Sequence, residues 1–202
     1  MTGPSETIFL VDDDGAVLRA VSRLLRSAGY AVRGYPSAEE FMAAHHADTP
    51  GCLVVDIAMP GSTGLELQEW LFQSQSSLPV VFLTGCGDVP TTVRAMKGGA
   101  VDFLTKPVDE AELLGAVSAA LQRGRLLRNK RSDRARVQAL LNTLTARERE
   151  VFDHLLTGRL NKQIAADLGT VEKTIKVHRA RVLRKLGVSS IAELVHLAER
   201  AK

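Results

Sequence analysis

Hydrophobic positions along this chain follow two alternating patterns. Short aliphatic, β-branched runs occur at residues 8–11, 52–55, 79–83 and 101–105, with a weaker one at 31–35. Each is too short for a helix and reads as a strand, and the uninterrupted run at 52–55 predicts one buried on both faces, as in a parallel sheet. Between them apolar residues recur at helical spacing. Val17, Leu18, Val21, Leu24, Leu25 and Ala28 end at Gly29, and Phe41 follows Ser37-Ala38-Glu39-Glu40, which has capping-box form. Leu65, Leu67 and Leu71 share a helix with Trp70, read as a packing residue. Val93 and Met96 lie behind a cap at Asp88 and stop at Gly98-Gly99, and Leu113, Leu114, Val117 and Leu121 form a fifth stripe. Five strands alternating with five helices predict an α/β domain with a doubly wound five-stranded parallel sheet over residues 1–123.

After residue 123 the pattern is helical throughout. Residues 124–142 predict a partly helical linker, with Val137, Leu140, Leu141 and Leu144 at helical spacing. Thr145-Ala146-Arg147-Glu148 then opens a helix in capping-box form, and Gly158 ends it. A short helix containing Ile164, Ala165 and Leu168 precedes the turn Gly169-Thr170-Val171. A longer helix over 172–186 stops at Gly187, and a last one spans 191–201. A short helix, a glycine turn and a longer basic helix predict a helix-turn-helix within an all-α four-helix domain, residues 143–202.

Charge sharpens this division. Through Arg123 there are 8 Lys+Arg against 15 Asp+Glu; from Gly124 onward there are 18 against 8, giving the chain its net +3. An acidic half joined to a basic half predicts two domains with different partners, the basic one nucleic acid. The first residues are polar, and no apolar run reaches the roughly 20 residues of a membrane helix, so a soluble, cytoplasmic protein is expected. Cys52 and Cys86 read as small core residues of a reducing compartment; a redox-sensitive thiol at Cys86 is the alternative.

The strand ends carry the chemistry. Asp12 and Asp13 follow the first strand, Asp56 the third, Thr84 the fourth and Lys106 the fifth. In a doubly wound sheet these ends share one rim, where ligands bind. Three carboxylates brought together repel unless a cation intervenes, and hard oxygen donors suit Mg²⁺. A carboxylate so placed can attack phosphorus, while a lysine and a hydroxyl steady the phosphoryl oxygens. Asp14 reads as a helix cap.

Residues 6–123 closely resemble the receiver domain of two-component response regulators, a flavodoxin-like fold. The resemblance rests on Val11-Asp12-Asp13-Asp14, Asp56 before Met59-Pro60 and Gly64, Thr84-Gly85, and Phe103-Leu104-Thr105-Lys106-Pro107. It implies that Asp56 accepts a phosphoryl group from a sensor histidine kinase. It also implies that Asp12, Asp13, Asp56 and the Ala58 backbone carbonyl ligate Mg²⁺ (or Mn²⁺), and that Lys106, Thr84 and Phe103 sense the phosphate. A cis Lys106-Pro107 bond is implied as well. Thr84-Gly85-x-Gly87-Asp88-Val89-Pro90 resembles the FixJ-type subgroup, with Cys86 at the variable position. Kinase specificity is expected in surface residues of the first helix, 17–27.

Residues 145–200 resemble the LuxR-type domain of the FixJ/NarL family, through Leu144-Thr145-x-Arg147-Glu148, Asn161-Lys162-x-Ile164-Ala165, Lys173-Thr174-Ile175-Lys176-x-His178 and Lys185-Leu186-Gly187-Val188. On the third helix Ile175, Val182 and Leu186 predict the inward side. Lys173, Lys176, Val177, Ala180, Arg181 and Arg184 fall outside, a mixture suited to a major groove. Expected DNA-binding residues are Lys162, Lys173, Thr174, Lys176, Val177 and Arg181. Val171 stands where the family has a capping serine, leaving those amides to Thr170 or water. Ala180 replaces a longer side chain, and His178 is read as a packing and hydrogen-bonding residue. The basic run of the linker is either a solvated face or an auxiliary contact to the DNA backbone.

The expected protein is a phosphorylation-activated transcription regulator, not an enzyme beyond its own phosphotransfer and dephosphorylation. It would dimerise through residues 88–103 when phosphorylated, bind promoter DNA and engage RNA polymerase. Two alternatives stay open: an aspartyl-phosphate phosphatase, and a LuxR-type regulator controlled by a diffusible ligand.

Overall fold

The computed structural model describes residues 6–47, 49–85 and 89–201. The chain divides into two compact units, Met1–Arg128 and Asn129–Lys202. The expected roles of Cys86 and of Asp88 as a cap fall outside the described residues. No helix among the described residues is long and apolar enough to cross a membrane.

In the first unit β1 (Thr7–Val11), β2 (Ala31–Tyr35), β3 (Gly51–Asp56), β4 (Val80–Thr84) and β5 (Asp102–Thr105) form one parallel sheet ordered β2-β1-β3-β4-β5. Helices α1 (Gly15–Ser27), α2 (Ala38–Ala44), α3 (Gly64–Gln73) and α4 (Val89–Lys97) separate the strands, and α5 (Glu110–Leu141) follows β5. Alternation along each strand sorts the core onto two faces. Ile8, Leu10, Cys52, Val54, Val81 and Leu83 pack with Val21 and Leu25 of α1 and Leu113 and Val117 of α5. Phe9, Val11, Leu53, Val55, Val80 and Phe82 pack with Phe41 of α2, Leu67 and Leu71 of α3 and Ala95 of α4. Helices on both faces make the sheet doubly wound, as the strand and helix periods predict.

Local chemistry fixes the helix starts. Asp14 Oδ1 accepts the Ala16 and Val17 amides at 2.7 and 3.4 Å. Asp109 Oδ1 does the same for Ala111 and Glu112 at 2.8 and 3.1 Å. Ser37 Oγ accepts the Glu40 amide at 3.2 Å, one arm of the anticipated box. Thr63 and Glu66 complete a full capping box that the apolar pattern alone does not single out. Trp70 is partly buried against the second core face, a packing position. Cys52 is wholly buried, and desolvation pushes its thiol up to about 12, so it is an inert core residue.

The second unit is helical. The end of α5 contributes Val137 and Leu141 to a core with Val151, Phe152 and Leu155 of α6 (Ala146–Leu156) and Ile164 and Ala165 of α7 (Asn161–Asp167). Ile175, Val182 and Leu186 of α8 (Glu172–Leu186) and Leu194 of α9 (Ile191–Glu199) complete it. Each buried aliphatic side chain stabilises the unit by roughly 1.5–3 kcal/mol. The linker differs from its reading as partly helical: helix α5 is continuous through it. Lys, Arg, Gln and Leu are good helix formers, and after Gly124 this stretch holds no further glycine and no proline.

Candidate functional site

The strand order reverses between β1 and β3, because β1 is followed by β2 on one side and β3 by β4 on the other. Ligands of open α/β sheets bind at such a switch point, beyond the carboxyl ends of the strands. Val11 pairs with Val55, so the next residues, Asp12 and Asp56, leave adjacent strands side by side. Thr84 pairs with Thr105 on the neighbouring strands, and Lys106 is one residue beyond. The Lys106 amide donates to the Thr84 carbonyl at 2.6 Å, and the Lys106–Pro107 bond is cis, as the resemblance implies.

These placements bring opposite charges together. Lys106 Nζ lies 2.6 Å from Asp12 Oδ2 and 2.7 Å from Asp56 Oδ2. Asp12 is 0 % exposed, and Lys106 retains 18 % of its side-chain exposure. Desolvation raises the Asp12 pKa, outweighing the pull of Lys106 and of the Asp14 amide. Burial works to lower the Lys106 pKa, but its pairing with Asp12 and Asp56 wins, and the ammonium is held above the usual lysine range. The other carboxylate oxygens are steadied by the backbone. Asp12 Oδ1 accepts the Asp14 amide at 3.0 Å and Asp56 Oδ1 the Ala58 amide at 3.3 Å.

A divalent cation fits this set. Oxygens of Asp12, Asp13 and Asp56 lie within 4.8 Å of one another, with Asp13 exposed at the mouth. Asp12 Oδ2 is buried and already faces one cation, the Lys106 ammonium at 2.6 Å. A buried carboxylate of this kind suits a cation. Carboxylates without nitrogen or sulfur partners favour a hard ion.

The loop after Asp56 is held from two sides. Glu39 Oε1 of α2 accepts the Ser62 amide at 3.1 Å, and the Gly64 amide donates to the Ile57 carbonyl at 3.1 Å. A Cβ on Gly64 would sit 2.4 Å from the Asp56 carbonyl oxygen. Gly64→Ala is therefore expected to shift the start of α3 and cost about 2 kcal/mol. Urea unfolding followed by Trp70 fluorescence measures it, and an unchanged midpoint would show that the loop has slack. Thr84 is buried at the end of β4, and Phe103 is partly buried against the second core face.

In the second unit α8 turns Ile175, Val182 and Leu186 inward. Lys173, Lys176, Val177, Ala180, Arg181 and Arg184 are exposed, as their spacing predicts. Lys162 on α7 is also exposed, whereas Thr174 is half-buried. Val171 caps α8 without a side-chain hydrogen bond, and the Thr174 amide donates to the Val171 carbonyl at 3.0 Å. His178 is half-buried, a packing position, and its Nδ1 is buried with no protein partner.

Motif reading misses what supports this helix. Lys185 Nζ, in the last turn of α8, donates to Glu148 Oε2 at 2.6 Å and to the Thr143 carbonyl at 2.9 Å. Glu148 is 3 % exposed and also closes the capping box with Thr145. Its hydrogen bond from Lys185, helped by the Thr145 amide, lowers its pKa to about 2. Arg147 donates to the Leu168 carbonyl at 2.6 Å, tying α6 to the end of α7. The capping box at 145–148 and the motif at 185–188 are each visible in sequence; the bond that joins them across 37 positions is not.

Comparison with known proteins agrees with both units. The family described as response regulator receiver domain matches residues 8–118, and that described as bacterial regulatory proteins, luxR family, matches 142–198. The chain is 43% identical over 192 residues to Nodulation protein W of Bradyrhizobium diazoefficiens, covering 95% of this chain and 85% of that protein. It is 43% identical to the response regulator protein TodT of Pseudomonas putida, covering 100% and 89%. The transcriptional regulatory protein FixJ of Azorhizobium caulinodans is 41% identical, covering 95% and 90%. Among solved structures, the response regulator StyR superposes with a TM-score of 0.85 at 44% identity, covering 97% of this chain and 99% of that one. A receiver domain and a LuxR-type domain, each matched in its own unit and together spanning relatives named as response regulators, place this chain in the FixJ/NarL family of response regulators.

Proposed function

We propose that Asp56 is the acceptor of a phosphoryl group passed from a sensor histidine kinase, and that this modification governs binding of promoter DNA by the second unit. The observation that carries the reading is the Lys106 ammonium, 2.6 and 2.7 Å from oxygens of Asp12 and Asp56 at the sheet rim. An Asp56 oxygen attacks phosphorus, forming the acyl phosphate as the bond to the donor's nitrogen or oxygen breaks. Asp56 then carries its charge on the phosphoryl oxygens, and the Lys106 ammonium follows it. Asp12, Asp13, Asp56 and the Ala58 carbonyl would hold Mg²⁺ or Mn²⁺. The bound ion supplies charge neutralisation for the transferring group. Thr84 turns its hydroxyl toward the phosphoryl oxygens, and Phe103 moves into the space this leaves.

The consequence is a changed surface along α4 and β5. Val89, Val93 and Met96 are exposed on α4, and this apolar patch is where two phosphorylated copies would pair. Pairing places two α8 helices on half-sites about 34 Å apart or a multiple of it. Lys162, Lys173, Thr174, Lys176, Val177 and Arg181 are the DNA contacts in this reading, and RNA polymerase is the downstream partner. We assign 1–123 to the receiver, 124–142 to the linker and 143–202 to the DNA-binding domain of a cytoplasmic regulator. The kinase would dock on residues 17–27.

Acetyl phosphate with Mg²⁺ tests the proposal. The expected result is stoichiometric labelling, a rise in dimer fraction by sedimentation, and tighter binding to DNA upstream of the regulated genes. Equal DNA binding with and without the donor would sink it. Continuous hydrolysis of a phosphomonoester would instead indicate a phosphatase.

A further inference from the structure

Eight consecutive residues of α5, 129–136, are all exposed, so this part of the helix has no buried stripe. Four of the eight are cationic and one, Asp133, is acidic. A helix without an apolar face has no packing reason of its own for being held in one place. Here it is held by charged contacts within the second unit. Asp133 pairs with Arg200, just past α9, at 2.9 Å, and Arg134 Nε donates to the Ala201 carbonyl at 3.1 Å. Lys130, Arg131, Asp133, Arg134 and Arg200 together line a concavity of about 440 Å³.

Helical geometry makes this one face. Lys130 and Arg134 are four residues apart, about one turn and 6 Å along the axis. Every residue of the lining is charged. Protein interfaces centre on aromatic and aliphatic anchors, which this concavity lacks. The apolar surface it does expose belongs to the stems of these charged side chains, and phosphates are met by the Arg and Lys heads that those stems carry. The fixed position of Arg134 lowers the entropy cost of meeting a phosphate.

We infer that Lys130 and Arg134 of α5, with Arg200, form a second contact for the sugar–phosphate backbone of duplex DNA, flanking the sequence met by α8. The inference rests on the DNA-binding reading of the second unit and goes beyond it. These residues add affinity without sequence preference, so their signature is the salt dependence of binding. Each phosphate contact contributes about 0.9 to the slope of log Kobs against log salt.

The test uses the full-length chain and a fluorescein-labelled duplex of mixed sequence, titrated by anisotropy over a salt series. Lys130→Gln/Arg134→Gln is expected to make the slope shallower by about 1.8, two contacts at about 0.9 each. Glutamine has nearly the same helix propensity as the residues replaced, and a far-UV spectrum checks the helix. Lys130→Arg/Arg134→Lys keeps both charges and is expected to keep the wild-type slope. Arg33→Gln/Arg123→Gln removes the same charge from exposed positions of the first unit and is expected to leave the slope unchanged. A wild-type slope in the first variant, or the same drop in the Arg33/Arg123 variant, overturns the inference. So does loss of co-sedimentation with phosphatidylserine vesicles alongside an unchanged DNA slope, which would assign the face to anionic lipid. Failure of the wild-type chain to bind duplex at low salt is a different result: it removes the DNA-binding reading itself.

Discussion

Asp56→Asn is expected to abolish all Mg²⁺-dependent incorporation of phosphoryl groups from acetyl phosphate, and with it the phosphate-driven gain in DNA affinity. The amide oxygen is a poor nucleophile, and the carboxylate it replaces is the one held between the Ala58 amide and the Lys106 ammonium. The fold should survive. Asparagine keeps the shape, and Lys106 retains Asp12 as a partner at 2.6 Å. Removing one of two crowded carboxylates also relieves their mutual repulsion while losing one attraction. The net change in stability is expected within about 1 kcal/mol. Intact-mass measurement after exposure to the donor decides the matter. Undiminished labelling in the variant would mean that Asp12, Asp13 or a residue elsewhere is the acceptor.

A second large effect is expected far from that site. Lys185→Met should destabilise the second unit by about 2–3 kcal/mol, because it strands the nearly buried Glu148 carboxylate and the Thr143 carbonyl together. Lys185 keeps about a third of its side-chain exposure, which holds the figure below that of a fully buried pair. Trp70, the chain's single tryptophan, lies in the first unit and reports that unit's unfolding. Helical ellipticity reports both. The variant should therefore show an early loss of ellipticity with little change in fluorescence. Superposed transitions at wild-type positions would discard the idea.

The same pair sets an acid limit. Glu148 titrates at about 2 in the folded chain against an ordinary 4.5, so the unfolded chain binds its proton more readily. Its contribution to stability is whole above about pH 4.5, declines as the pH falls, and is gone near pH 2. Glu148→Gln should flatten that decline in the ellipticity transition.

Much of this molecule is written in short-range pattern. The runs at 8–11 and 52–55 announce doubly buried strands because no polar residue interrupts them. The alternation of strand and helix then leaves few topologies. Double winding puts Asp12 and Asp56 on one rim of the sheet, and the pairing of Val11 with Val55 then sets them side by side. The inward side of α8 is equally legible, because a period of 3.6 residues separates Ile175, Val182 and Leu186 from the lysines.

Tertiary structure decided whatever depends on side chains distant in the chain. The Lys185–Glu148 pair joins positions 37 apart, and the motif that begins at Lys185 says nothing of which carboxylate its ammonium reaches. The clamp of Glu6 on Arg125 and Arg128, at 2.6 and 2.7 Å, is likewise invisible in a run that reads only as basic. The linker's persistence as one helix, and the gathering of its cations with Arg200, also emerge only when the second unit packs. Periodicity fixes which face of an element is buried, because the backbone repeats at a constant interval. It does not say which charged side chain will reach which, because that depends on distances set by the folded backbone.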